Sequence, residues 1–168
     1  MSYFAKFKGR SQALPPRASV GQIAFAGLGA LGGIGLIGWL ASYIGQPLIL
    51  GSLGASCVLL FAYPESPFSQ PRNVVFGHFI STAIGLLFLH YVGSAWWSMA
   101  LALAVAIIVM QLTSTVHPPA GSNPLIVFLA GANFSFLLTP GTLGPVLLVV
   151  WALMYNNLSR HRHYPCYW

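Results

Sequence analysis

Apolar residues fill this chain in long blocks, and the polar breaks between blocks define its elements. Val20 to Ile44 is an uninterrupted apolar run, long enough to span a bilayer with some tilt. Leu48 to Tyr63 is a second block, interrupted by Gly51, Ser52, Gly54 and Ser56. At about 1.5 Å per residue it falls short of a hydrocarbon core of about 30 Å. Pro64-Glu65-Ser66-Pro67 and Pro71-Arg72-Asn73 form a turn region. Val74 to Val92 is the third segment, and Ala95 to Thr113 the fourth, with Trp96 and Trp97 as interfacial anchors. In the fifth, the prolines of His117-Pro118-Pro119-Ala120-Gly121-Ser122-Asn123-Pro124 exclude regular helix. The pattern predicts a helix from Pro124, with Asn123 as N-cap, to about Ala132 and at most Leu138. The sixth runs from Gly141 to about Leu158, and Ser159 to Trp168 is a polar, basic, aromatic tail. The fold class expected is all-α, a polytopic transmembrane helical bundle.

The first three segments read long span, short broken segment, span, and so do the last three. Sliding the first half by about 67 residues puts Gly54-Ala55-Ser56 on Gly121-Ser122-Asn123, Phe61 on Phe128 and Gly77 on Gly144. The order of lengths and breaks carries this repeat, since residue identity across it is near chance. Three spans per unit is odd, so units 20–92 and 95–158 insert with opposite topology. In inverted repeats of this kind, paired Gly/Pro-interrupted segments point to the substrate site. A four-span arrangement, with the second and fifth segments re-entrant, is the alternative.

Composition narrows the class: 57% of the 168 residues are hydrophobic and 5% charged, which fits a bilayer. One transmembrane domain, 20–158, lies between a basic N-terminal segment, 1–19, and a basic tail, 159–168. Lys6, Lys8, Arg10 and Arg17 precede the first run, Arg72 sits in the polar break, and Arg160 and Arg162 follow the last run. Cytoplasmic loops collect Lys and Arg, so both termini are expected inside, beside anionic lipid headgroups. Membrane lipids, not nucleic acid, account for the net charge of +6. No secretory signal or transit peptide is expected at the N-terminus, which leaves a bacterial plasma membrane as the expected location. Gly27-x-Gly29-x-x-Gly32 matches a dinucleotide fingerprint but lacks the preceding strand and the later acid. Gly29 and Gly33 read instead as a small-xxx-small helix contact. Cys57 and Cys166 are expected unpaired.

The breaks offer an anion site. Irregular backbone at membrane depth survives where it lines a cavity or is buried in protein. A helix starting there presents unpaired N–H groups and a positive dipole end. Two opposed starts would aim donors at one central point, lined by Ser52, Gly54, Ala55 and Ser56 from the first break and His117, Gly121, Ser122 and Asn123 from the second. Burying a small anion costs several kcal/mol, and each hydrogen bond to it returns about 1.5–3 kcal/mol. Four or five donors leave weak binding, which suits transport. Glu65 is the only carboxylate and falls in an expected inner loop, so a proton relay would rest on His78 or His117. The Arg-His-Arg-His tail suggests solvated histidines rather than a metal site, and no metal or cofactor is expected. Asn123→Asp is expected to abolish anion transport while leaving insertion intact.

The string from His117 to Leu125 resembles the signature of the HPP family of integral membrane proteins, named for its His-Pro-Pro. Gly51-Ser52-Leu53-Gly54-Ala55-Ser56, Leu59-Leu60-Phe61, Pro64-Glu65-Ser66-Pro67, Gln70-Pro71-Arg72-Asn73 and Gly77-His78 are similar to that family as well. The resemblance covers Val20 to Leu158. It implies nitrite as the transported anion, a member of a family found in bacteria, cyanobacteria among them, and plastid envelopes, and a description with four spans. Nitrate, formate, bicarbonate and chloride stay open on chemistry alone. A passive anion channel is the nearest competing reading. An intramembrane enzyme using Ser52 or Ser56 with His78 or His117 is a second, though no nucleophile elbow supports it, and no enzyme activity is expected. An accessory subunit is a third, which two polar breaks argue against. A homo-oligomer is expected, because so small a bundle shields a central pathway poorly.

Overall fold

The computed structural model describes residues 3–8 and 13–168. Arg10, one of the basic residues expected inside, lies outside the described residues. The described residues form six α-helices and no strand. Helix α1, Val20–Ile44, opens on a capping box. The Ser19 hydroxyl accepts from the Gln22 N–H, and the Gln22 side chain accepts from the Ser19 N–H at 2.9 Å. Gly45, in the left-handed conformation at φ 66°, ends it. Helix α2, Gly51–Cys57, widens into a π-helical turn, Val58–Ala62. Helix α3, Pro71–Tyr91, starts on proline, where no N–H is needed. Helix α4 is Trp96–Leu112, α5 is Asn123–Ala130 and α6 is Leu143–Asn156.

The helices alternate in direction along the chain. Helix α6 runs antiparallel to α1: Leu148 meets Gly33, Trp151 Nε1 donates to the Gly29 carbonyl at 2.9 Å, and Tyr155 donates to the Phe25 carbonyl at 2.8 Å. A Cβ on Gly29 would stand 2.7 Å from the Phe61 and Tyr155 rings, and one on Gly33 2.9 Å from Leu148 and Trp151. This is the close helix contact expected of that pair. Helix α5 runs alongside α3 in the same direction, with Gly77 against His117, Gly85 against Pro124 and Val127, and His90 bonded to the Ala132 carbonyl.

The main core gathers Leu48, Leu53, Leu60, Phe61, Val74 and Leu148 between α1, α2, α3 and α6. The outer surface is apolar too. Helix α1 buries only Gly29, Gly33 and Ile37 and leaves Leu28, Leu31 and Trp39 exposed, a surface suited to lipid. Helices α1 and α3 are each long and apolar enough to cross a membrane, whereas α4, α6 and Gly51–Ala62 are shorter apolar helices.

Four expectations about element ends need correction, the first being that Pro71-Arg72-Asn73, expected as turn, is already the first turn of α3. The second segment turns helical only at Gly51, because Gln46 to Leu50 runs without helix and descends beside α1. The proline-rich string does wind, as a 3-10 helix over Pro118–Ser122 that runs directly into α5. Proline's fixed φ suits a 3-10 turn, and its missing N–H falls where no bond is required. Asn123 is therefore inside the helix at φ −62°, ψ −38°, and the N-cap position belongs to extended His117. Helix α5 stops at Ala130, where Gly131 turns left-handed at φ 55°, short of Leu138.

The tail also folds back instead of standing free. Tyr164 is buried and donates to the Ser69 carbonyl at 2.8 Å. Arg162 donates to the Phe61 carbonyl at 2.8 Å and lies over the Phe25 ring. The Cys166 N–H donates to Gln70 Oε1 at 2.7 Å. His161 and His163 stay exposed, and no metal-holding group of His, Cys, Asp or Glu exists among the described residues.

Candidate functional site

The two breaks meet. After α4, Ser114 turns left-handed at φ 54°, and the chain from Thr113 to His117 climbs along the start of α3. Arg72 donates to the Thr113 carbonyl and Asn73 to the Val116 carbonyl, both at 2.9 Å. This climb delivers His117 against α2. Its ring is fully buried, and its Nε2 lies 2.8 Å from the Ser56 hydroxyl. A carbonyl can only accept, so His117 Nδ1, 2.7 Å from the Phe68 carbonyl, carries the proton. In the neutral ring Nε2 then accepts, and the Ser56 hydroxyl divides its one proton between this nitrogen and the Ser52 carbonyl, 3.1 Å away.

A second pair repeats this logic. His78 Nδ1 donates to the Val74 carbonyl at 2.8 Å, one helical turn back. Its Nε2, 3.2 Å from the Ser52 hydroxyl, accepts from Ser52. The two imidazole centres are 5.0 Å apart. Ser52, Ser56, His78 and His117 are all buried.

Asn123 completes the polar interior. Its amide donates to Thr82 Oγ1 at 2.9 Å and contacts the His78 carbonyl at 3.4 Å. The carbonyl edge of that amide is buried without a partner among the described residues. Ser81, one position before Thr82, donates to the Ala120 carbonyl at 2.6 Å. Thr82 and Ser81 are site neighbours that the sequence reading missed; both sit one turn beyond His78 on α3, a signal that was available.

Of the remaining expected residues, Ala55 and Ser122 line a cleft beside this interior, and Gly54 and Gly121 do not. The cleft measures about 580 Å³ and is walled by Gly51, Ser52 and Ala55 from the first break and Pro118, Pro119 and Ser122 from the second. Gly54 and Ala55 are exposed on the outer side of α2, and Gly121 is half-buried. Ser122 bonds to the Pro119 carbonyl at 2.8 Å.

The expected pair of donor-rich helix starts is realised on one side only. Gly51 and Ser52 open α2, where no preceding turn supplies acceptors for their N–H groups. The second start has Pro118 and Pro119 in those positions, and the next N–H, of Ala120, already donates to the His117 carbonyl. Ser52 is the one residue that belongs to both the cleft and the Ser–His interior.

A model of the HPP transmembrane region matches residues 15–165. Two proteins of Dictyostelium discoideum, each named only as a transmembrane protein, are 33% identical over the whole of this chain. The match covers 64% of one and 58% of the other, so the chain spans about three-fifths of the length of the curated relatives it matches. No solved structure matches it.

Proposed function

We propose that this chain, which belongs to the HPP family of transmembrane proteins, carries a small inorganic anion, nitrite in the first place, across the bilayer. The observation that carries the proposal is the Ser56–His117 hydrogen bond of 2.8 Å, which ties together two breaks 61 residues apart. Polar side chains from two interrupted segments converge inside an otherwise apolar bundle, beside a cleft that both breaks line. Such convergence is costly in lipid and marks a pathway.

The element boundaries support the inverted repeat. Ile44 and Leu112 end the first helix of each half, Gly51 and Pro118 begin the second, and Ala62 and Ala130 end it, with separations of 68, 67 and 68 residues. Six alternating segments put both termini on one side, with Arg17, Arg72 and Arg162, and we read that side as cytoplasmic. The family makes the chain an integral membrane protein, and a bacterial plasma membrane is the location we propose for it. The cleft opens on the outside of α2, where Gly51, Gly54 and Ala55 are exposed. Irregular backbone next to lipid needs cover, which supports a homo-oligomer that closes the cleft.

Transport accounts for the site better than catalysis. Ser56 and His117 stand at nucleophile–base distance, but Ser56 is fully buried on the inner face of α2, out of reach of a bulky substrate. The experiment is uptake of nitrite by proteoliposomes holding the purified protein, against protein-free vesicles. Uptake above that background is expected; uptake equal to it would remove the proposal. A passive channel shares the site and differs in letting flux follow the electrochemical gradient alone.

A further inference from the structure

We infer that a proton is the second substrate of this site: each anion moves with one proton, taken up by the His78–His117 pair. The inference rests on the transport reading above and adds the coupling. In the structure every hydroxyl of the breaks is committed to a protein acceptor. Ser52 donates to His78, Ser56 to His117 and the Ser52 carbonyl in competition, and Ser122 to the Pro119 carbonyl. An anion entering the cleft meets hydroxyls whose protons point away from it.

A proton reverses the direction of those bonds. Each imidazole already spends its Nδ1–H on a main-chain carbonyl, so the only free lone pair on either ring is at Nε2. When a proton binds His78 there, the new N–H donates to Ser52 Oγ, and the Ser52 hydroxyl proton turns away from the ring. Ser52 has no other side-chain hydrogen bond and lines the cleft, so its hydroxyl then donates to the anion. The imidazolium also supplies the positive charge that a buried anion needs. Proton and anion thus bind cooperatively, each raising the affinity for the other by the same factor.

The stoichiometry follows from the spacing. With ring centres 5.0 Å apart in a buried setting, two positive charges repel strongly, and the pair takes up one proton as a unit. No other group competes for it. The elements packed on the pair are α2, Pro67–Ser69, α3, α4, Pro118–Ser122 and α5. Besides the two histidines they carry Cys57 on α2 and Arg72, His90 and Tyr91 at the ends of α3, and no carboxylate. The proton departs as it arrived, from Nε2 to water, when the anion leaves and Ser52 turns back to the ring.

One proton with one monovalent anion makes the cycle electroneutral, and this is directly measurable. The experiment loads wild-type proteoliposomes with a pH dye, imposes a potassium diffusion potential with valinomycin, and follows nitrite uptake with protein-free vesicles subtracted. The expected result is one proton taken up per nitrite, a rate unchanged by voltage, and accumulation driven by an inward proton gradient. His78→Gln is expected to lose the gradient-driven accumulation. Nitrite uptake that follows voltage without internal acidification would overturn the coupling and leave anion transport standing. No uptake above protein-free vesicles would overturn both.

Discussion

Gly77 of α3 faces His117 with no room between them: a Cβ on Gly77 would lie 2.9 Å from the His117 Cβ and 3.0 Å from the Thr115 carbonyl oxygen. Glycine at this position lets the climbing segment reach α3 and brings His117 to Ser56. Gly77→Ala is expected to push the segment outward, at a cost of about 1–3 kcal/mol for overpacking, and to lower nitrite flux more than it lowers protein yield. Thermal unfolding in detergent and flux in vesicles check the two effects. An alanine variant with unchanged flux would detach this contact from function.

The α1–α6 seam makes a sharper comparison. Gly33→Ala places a methyl 2.9 Å from Leu148 and Trp151, whereas Gly35→Ala meets nothing within 4 Å. The first is expected to destabilise by about 1–3 kcal/mol. The second, on an exposed helical face, is expected to be neutral or stabilising by up to about 1 kcal/mol, since glycine is the poorer helix former. Equal thermal shifts for the two variants would contradict the packing described for the seam.

Asn123→Asp replaces a buried amide that donates to Thr82 and faces the His78 carbonyl. A carboxylate there cannot donate and brings negative charge beside the two histidines. The variant is expected to insert and fold but to lose anion flux, checked by size-exclusion profile and uptake. Wild-type uptake by a folded Asn123→Asp protein would place the pathway elsewhere.

The tail latch should open in alkali. Burial, with a contribution from neighbouring Cys166, raises the Tyr164 hydroxyl above the usual tyrosine range. The native state thus favours the neutral phenol. Its contribution is fully present below the unfolded tyrosine pKa of about 10 and is lost as the pH rises toward the folded value. Trp168 fluorescence is expected to change above about pH 10, and Tyr164→Phe is expected to remove most of that change. A transition of the same size in the phenylalanine variant would assign it to another group.

Much of this architecture was legible in the sequence, because lipid-facing helices and their interruptions are written in composition. Val20 and Ile44 bound α1 as read, since a capping serine and a left-handed glycine flank an unbroken apolar run. The two breaks were legible from Gly51, Ser52 and the prolines after His117. Their inner conformation was not. Clustered prolines forbid an α-helix but suit a 3-10 turn, and this choice cost the second helix start its free N–H groups. Nor did the sequence mark which hydroxyls face which histidines. The Ser56–His117 and Tyr164–Ser69 bonds join residues 61 and 95 positions apart, and no local pattern encodes such pairs. Ser81 and Thr82 lie one turn beyond His78, but hydroxyls on an apolar helix read as back-bonded to the preceding turn.

Exchange of labelled nitrite across proteoliposomes, at equal pH on both sides and zero voltage, tests transport through the paired breaks most directly. The wild-type protein is expected to exchange nitrite well above protein-free vesicles, with Ser52→Ala reducing the rate. Exchange at the background rate for nitrite, nitrate, formate, bicarbonate and chloride alike would contradict an anion pathway through this site.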